Sequence, residues 1–75
     1  MKLTQVKPGQ KGQVLNVAPG HQAKKKLYDI GITPGVEFEM VACHPFKGPI
    51  VVNLGNSRIA VGRHLADTVS VRLDS

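Results

Sequence analysis

The sequence predicts an all-β fold with one short helix, built as a small five-stranded barrel. Three observations indicate this fold class. The chain has 75 residues, which suffices for a single domain over its whole length, 1–75, with a small core. Short segments of alternating apolar and polar residues recur along it, separated by turns that contain glycine or proline. Only one segment has the period of an amphipathic helix.

The first predicted strand covers residues 12–17, in which apolar and polar side chains alternate. Strict alternation places Val14 and Asn16 on one face of this strand and Val17 on the other. The strand is expected to end at residues 18–20, where a glycine directly follows a proline.

The predicted helix covers residues 21–30. Leu27 and Ile30 fall on one face of such a helix, which indicates that this face packs against the core. Gly31 is expected to end the helix, because glycine adopts the left-handed conformation of a helix C-terminus without strain. Ile32 can then fold back onto the last apolar turn.

The second half of the chain has the pattern of antiparallel strands. Apolar and polar residues alternate strictly in the first of them, which is typical of a half-buried strand. The next two strands flank residues 55–57, a turn of two or three residues that predicts a hairpin. The predicted strands are 36–42, 50–54, 58–61 and 68–73, with one helical turn at 62–66. Five strands and a helix in so short a chain predict a closed barrel of the SH3-like type.

Composition excludes several classes of protein. The longest uncharged stretch, residues 48–57, is too short and too polar to cross a membrane, and the N-terminus lacks the apolar run of a secretory signal. A single cysteine, Cys43, cannot form a disulfide within one chain. We therefore expect a cytoplasmic protein in a reducing compartment, stabilised by packing.

The sequence predicts no preorganised metal site. The histidines His21, His44 and His64 lie in three separate segments, and His44 follows Cys43 directly, so that on a strand the two side chains would point to opposite faces. The best local pair is His64 with Asp67, at helical spacing, and two ligands alone would bind weakly. We expect no cofactor, with weak binding of Fe(II) or another transition metal left open.

The sequence also gives no support for catalysis. No glycine-rich phosphate-binding loop is present. Only five acidic residues occur, and two of them, Glu37 and Glu39, occupy successive outward positions of one predicted strand, where they solubilise it. We therefore expect that the protein is not an enzyme.

The basic charge of the chain allows three interpretations. The formal net charge is +5, and three consecutive lysines, residues 24–26, lie on the predicted helix. This face could follow a nucleic-acid backbone, could simply be solvated, or could dock onto an acidic protein surface. Binding of nucleic acid is disfavoured because only Tyr28, Phe38 and Phe46 are aromatic. The alternation of its strand predicts that Phe38 faces the core, so no platform for stacking bases is evident.

Two turn-rich segments, residues 27–35 and 45–49, resemble the motifs of the FeoA family of small ferrous iron transport proteins and of the similar domain at the C-terminus of iron-dependent repressors. The chain departs from the family pattern at Ile30, where leucine or methionine is usual, and at Lys47, where glycine is usual. The matching motif residues include Leu27, Gly31, Pro34, Gly35, Pro45, Gly48 and Pro49.

The resemblance implies an SH3-like fold and a cytosolic protein that binds a membrane Fe(II) transporter carrying a GTP-binding domain, and assists or regulates it. An aromatic side chain at the edge of a small domain can act as a binding anchor, and lysines can orient an acidic partner. Leu27 is instead expected in the core. The predicted partner-binding residues are Lys24, Lys25, Tyr28, Ile32, Phe46 and Lys47.

Other functions stay open beside this one. The chain could be a metal-binding or metal-sensing module related to iron-dependent repressors, or a small basic barrel that binds nucleic acid. A groove for proline-rich peptides is disfavoured, because the sequence has no tryptophan and few aromatic residues to line it. A homo-oligomer could form through the exposed edge of a strand, and residues 69–73 are one candidate.

Overall fold

The computed structural model describes residues 1–43 and 48–74. The five strands form one antiparallel sheet in the order β4-β3-β2-β1-β5. The elements, in chain order, are a 3₁₀ turn at Leu3–Gln5, β1 at Lys11–Val17, α1 at His21–Asp29, β2 at Glu37–Cys43, β3 at Ile50–Leu54, β4 at Ser57–Val61, α2 at Arg63–Ala66 and β5 at Val69–Leu73. The predicted strands, the helix and the late helical turn are thus confirmed. The 3₁₀ turn near the N-terminus was not predicted.

The sheet is open, which corrects the expectation of a closed barrel. In the described part of the chain, β4 pairs with β3, and β5 pairs with β1. The outer edge of β5 is partly covered by the N-terminus, because the backbone N–H of Val71 donates to the carbonyl oxygen of Met1 at 2.7 Å and Lys2 bridges to Ser70. The two edge strands therefore do not pair with each other.

A bulge in β1 changes which of its side chains face the core. The register between β1 and β5 shifts between Val14 and Asn16, so the strand gains one residue at Leu15. As a result Val14 and Val17 are both buried, while Leu15 is 51% exposed. The expectation that Val14 and Val17 lie on opposite faces is wrong, because strict alternation assumed an unbulged strand.

Helix α1 ends in a Schellman motif. The N–H of Ile32 donates to the carbonyl oxygen of Leu27 at 2.8 Å, and the N–H of Gly31 donates to that of Tyr28 at 3.1 Å. Gly31 has a φ of +99°, which the motif requires and glycine adopts without strain. The motif turns Ile32 inward, so its side chain and that of Leu27 are both buried. The predicted end of the helix is confirmed.

The core is entirely apolar among the described residues. It combines inward side chains from all five strands with the inner face of α1, with Ala66 of α2 and with side chains from the N-terminal segment. Phe38 and Met40 are buried on β2, as predicted from its alternation. The buried residues are Leu3, Val6, Val14, Val17, Leu27, Ile32, Phe38, Met40, Ile50, Val52, Val61, Ala66, Val69 and Val71.

Candidate docking groove on the helix

A groove of about 480 Å³ lies along the outer face of α1, beside the turn that precedes the helix. We refer to it as the helix groove. Its lining residues come from two neighbouring stretches of chain, the turn after β1 and the outward face of α1. They are Pro19, Gly20, Lys24, Lys25 and Tyr28.

The orientation of α1 determines which side chains line the helix groove. Leu27 is fully buried and so points that face of the helix into the core. Each residue of an α-helix is rotated by about 100° from the one before, which places Tyr28 on a different face from Leu27. Tyr28 is accordingly 41% exposed. Lys24 lies four residues before Tyr28 and is therefore its neighbour on the helix surface.

The turn before α1 also lines the groove. Gly20 is the N-cap residue of α1, and its carbonyl oxygen accepts the N–H of Lys24 at 3.0 Å. The space beside Gly20 is open, since a Cβ atom placed there would meet no heavy atom within 4 Å. Pro19 and Gly20 thus add an apolar part to the lining, beside the lysines and Tyr28.

Lys24 and Tyr28 interact directly. The Lys24 Nζ atom lies 5.6 Å from the centroid of the Tyr28 ring, which is within the range of a cation–π interaction. At an exposed position such a contact contributes about 0.5–1 kcal/mol. A contact of this strength favours the conformation in which the two side chains meet and does not fix it.

The helix groove carries positive charge. Lys24 and Lys25 line it, Lys26 follows them on the same helix, and none of the lining residues is acidic. A partner with carboxylates at its surface would therefore be attracted and oriented by this face. The exposed ring of Tyr28 adds an apolar contact that charge alone would not supply.

The structure brings together three of the residues predicted for partner binding. Lys24, Lys25 and Tyr28 are exposed and line one groove. Ile32 is only 1% exposed, because the Schellman motif directs it into the core, so its proposed place on the surface is corrected. Phe46 and Lys47 lie outside the described residues.

The motif residues shared with the FeoA pattern have structural positions where they are described. Leu27 is in the core, as expected, and Gly31 ends α1. Pro34 lies in the turn before β2, and Gly35 in that turn has a φ of +92° and donates its N–H to the carbonyl oxygen of Val14 at 2.7 Å. Gly48 and Pro49 precede β3, and Pro45 falls outside the described residues.

Two contributions to the groove were not found from the sequence. The sequence indicates Pro19 and Gly20 only as the end of a strand, yet they also line the groove. A proline–glycine pair directly before a basic helix is a signal that could have indicated this role. The exposure of Leu15 was also missed, because it depends on the bulge in β1.

The described residues offer no metal centre. Among them, no three histidine, cysteine or acidic side chains come together in a way that could hold a metal ion. Asp67, of the predicted pair with His64, accepts a hydrogen bond at its Oδ1 atom from the Thr4 hydroxyl at 2.7 Å. Cys43 is half-buried, with its Sγ atom 4.0 Å from Nη2 of Arg63.

The chain was compared with protein families, curated proteins and solved structures. The family model described as the FeoA domain matches residues 1–73. A search of curated proteins finds no match. Within residues 1–43 and 48–74, no helix combines the length and hydrophobicity that a membrane span requires.

Solved structures with this fold include two proteins of iron transport. An iron uptake regulatory protein, FeoA, is 40% identical with a TM-score of 0.92, and the match covers 99% of this chain and 97% of that one. FeoA of Stenotrophomonas maltophilia, solved with zinc, is 28% identical with a TM-score of 0.81, over 96% of this chain and 89% of that one. It is described as a prokaryotic SH3-domain protein and suggested to be an activating factor of ferrous iron transport. These similarities confirm the predicted SH3-like fold.

A manganese-dependent transcriptional repressor shares the fold as well. It is 20% identical with a TM-score of 0.89, and the match covers 100% of this chain but 41% of the repressor. At this identity the likeness shows a common fold alone. It agrees with the predicted similarity to a domain of metal-dependent repressors.

Proposed function

Because the chain belongs to the FeoA domain family, which is linked to ferrous iron transport, we propose that it is a non-enzymatic, cytoplasmic accessory protein of Fe(II) uptake. Its partner is a membrane Fe(II) transporter with a cytosolic GTP-binding domain. The protein binds this transporter and assists or regulates it. The helix groove supplies the docking surface.

One observation carries this proposal. An exposed aromatic ring, Tyr28, lies beside Lys24 and Lys25 in a groove without acidic lining residues. Aromatic side chains are enriched among the residues that contribute most to protein binding, and surface charges speed the encounter and orient the partners. The same combination suits an acidic protein surface that offers an apolar side chain.

The chemistry of the groove favours docking over catalysis. A nucleophilic mechanism needs a nucleophile, a base within hydrogen-bonding reach and a group that orients the base. The lining residues provide two lysines and a tyrosine, with a proline and a glycine beside them. Such a set can hold a partner, but it contains neither a serine or cysteine nucleophile nor a histidine or carboxylate base.

Reversing the charge of Lys25 should weaken binding to the cytosolic domain of the transporter. In a titration at low salt we expect Lys25→Glu to raise Kd by roughly 5- to 10-fold, because a like charge would then face the acidic partner. The matched control is Lys26→Glu, which makes the same change of net charge on the same helix but outside the groove lining. Circular dichroism checks that both variants are folded. Equal effects of the two would contradict a docking site in the groove.

Removing the Tyr28 ring separates the apolar contact from charge. Tyr28→Ala is expected to cost about 1–2 kcal/mol of binding free energy, or roughly 5- to 30-fold in Kd, whereas Tyr28→Phe retains the ring and most of the affinity. Added salt should weaken the wild-type complex, because screening reduces attraction between exposed charges. Phe46 and Lys47 remain sequence-based candidates for the same interface.

Titration of the protein alone with Fe(II) tests the alternative function. Tight Fe(II) binding without any binding of the transporter domain would favour a metal-sensing or metal-delivery role. Docking through the helix groove predicts the reverse, with measurable transporter binding and at most weak binding of Fe(II).

A further inference from the structure

Strand β4 is the open edge of the sheet. Within the described residues its one neighbour is β3, whereas the outer edge of β5 is partly covered by Met1 and Lys2. The sequence offered residues 69–73 as one candidate edge for self-association, and the partial cover of β5 makes β4 the more accessible of the two edges. An uncovered edge strand presents backbone N–H and C=O groups that can pair with another strand.

The hairpin fixes which backbone groups of β4 point outward. Gly55 and Asn56 form a two-residue turn, with Gly55 at a φ of +60°, so that Leu54 and Ser57 are the first paired residues. In an antiparallel ladder, residues bonded to the neighbouring strand alternate with residues whose N–H and C=O point away. The outward-pointing backbone groups of β4 are therefore those of Arg58 and Ala60.

Little in β4 protects this edge. Its register with β3 is regular over five residue pairs, and the strand contains neither a proline nor a bulge, which are common protective devices. The exposed side chains beside the outward-pointing groups are the small Ala60 and the charged Arg58. On the inner face, Ile59 is half-buried and packs against the core.

We propose that β4 pairs with β4 of a second copy of this chain, in antiparallel orientation around a two-fold axis at Ile59. In this register Arg58 of each copy lies opposite Ala60 of the other, and the two pairs exchange four backbone hydrogen bonds. The two Ile59 side chains meet across the axis on the inner face. The product is a continuous ten-stranded sheet.

Charge selects this register over its neighbours. A shift toward the turn would place the two Arg58 side chains directly opposite each other, and like charges in that position are destabilising. A shift the other way would place Arg58 opposite Gly62, beyond the end of the strand. The register centred on Ile59 places arginine opposite a small neutral residue and retains both bonded pairs, so the sequence of β4 is complementary to itself.

The dimer should be weak. A standard stable interface buries about 800 Å² on each partner, and the edge of a five-residue strand offers much less. The dimer should therefore be populated only at the highest protein concentrations that can be measured. Such an interaction would depend on local enrichment of the protein, and it does not involve the helix groove.

Substitution of Ala60 tests the register. In Ala60→Glu each new carboxylate faces Arg58 of the other copy, so two ion pairs form and the dimer should tighten by roughly 2- to 30-fold. Ala60→Lys sets like charges opposite each other and should weaken it by a similar factor. Combining Ala60→Lys with Arg58→Glu restores opposite charges and should recover the dimer. Both positions are exposed, so folding should be retained and is checked by circular dichroism.

Sedimentation equilibrium over a range of protein concentrations measures these dissociation constants. The proposal is overturned if the wild type remains monomeric up to about 1 mM, the weak end of measurable affinity. It is also overturned if the three variants associate with the same strength as the wild type. If a monomeric protein uses the Arg58 and Ala60 amides to bind the transporter domain instead, the edge belongs to that partner and the self-pairing is wrong.

Discussion

Replacing Leu27 by alanine is expected to lower the free energy of unfolding by about 2–5 kcal/mol, the range found for such truncations in packed cores. Leu27 is 0% exposed, and among residues 22–29 of α1 it is the one that is buried. Its removal leaves a cavity between the helix and the sheet. Since small domains are stable by only about 5–15 kcal/mol, a substantial fraction of the variant could unfold. Urea denaturation followed by circular dichroism measures the change.

The matched control is Lys26→Ala, one residue earlier and exposed to solvent. Surface substitutions usually change stability by less than about 0.5 kcal/mol, and alanine also favours the helix. A loss below about 1 kcal/mol for Leu27→Ala would contradict the packing of α1 against the sheet. Such a result would also contradict the orientation of α1 that places Tyr28, Lys24 and Lys25 in the groove, because that orientation follows from the burial of Leu27.

Gly12→Ala should also destabilise the protein strongly, for a different reason. A Cβ atom at Gly12 would press directly against the carbonyl oxygen of Arg72 and lie 3.1 Å from the ring of Phe38. Gly12 pairs with both neighbours of β1, so the strands cannot separate at one side without disturbing the other. Overpacking of this kind costs about 1–3 kcal/mol. Thermal unfolding and urea denaturation should both show the loss.

Gly62→Ala provides the comparison. Gly62 has an ordinary φ of −59°, and a Cβ atom there would meet no heavy atom within 4 Å. Because Gly62 is the N-cap residue of α2, where alanine is less favourable than glycine, its substitution should cost at most about 1 kcal/mol. If Gly12→Ala is as mild as Gly62→Ala, the close approach of β1 and β5 is not a constraint on the fold.

The sequence predicted those features that depend on local chemistry. The helix was predicted from the spacing of Leu27 and Ile30, and its end from Gly31. The hairpin of β3 and β4 was predicted from the turn residues between two apolar strands. In each case the residues that determine the structure are neighbours in the chain, so the pattern is visible without knowledge of the fold.

Features that depend on distant contacts were missed or wrong. The bulge at Leu15 is a matter of register with β5, which lies more than fifty residues later in the chain. The partial cover of the β5 edge comes from Met1 and Lys2, at the opposite end of the chain. Ile32 is a separate case, because the local Schellman motif at Gly31 directs it inward although it was placed among the partner-binding residues.

The candidate site was predicted in part for the same reason. Lys24, Lys25 and Tyr28 are close in the chain and share the outward face of one helix, so helical periodicity was sufficient to group them. The part of the groove at Pro19 and Gly20 depends on how the chain enters that helix. The partner is a second molecule, which this chain does not encode, so the proposed transporter was inferred from the resemblance to the family.

The most direct test of docking through the helix groove is a nuclear magnetic resonance titration of ¹⁵N-labelled protein with the cytosolic domain of the Fe(II) transporter. We predict that the amide signals that shift or broaden first are those of residues 19–28, around the helix groove. Lys25→Glu should reduce these changes, and Lys26→Glu should leave most of them. No change on adding the domain, or changes confined to the strands, would contradict docking through the groove.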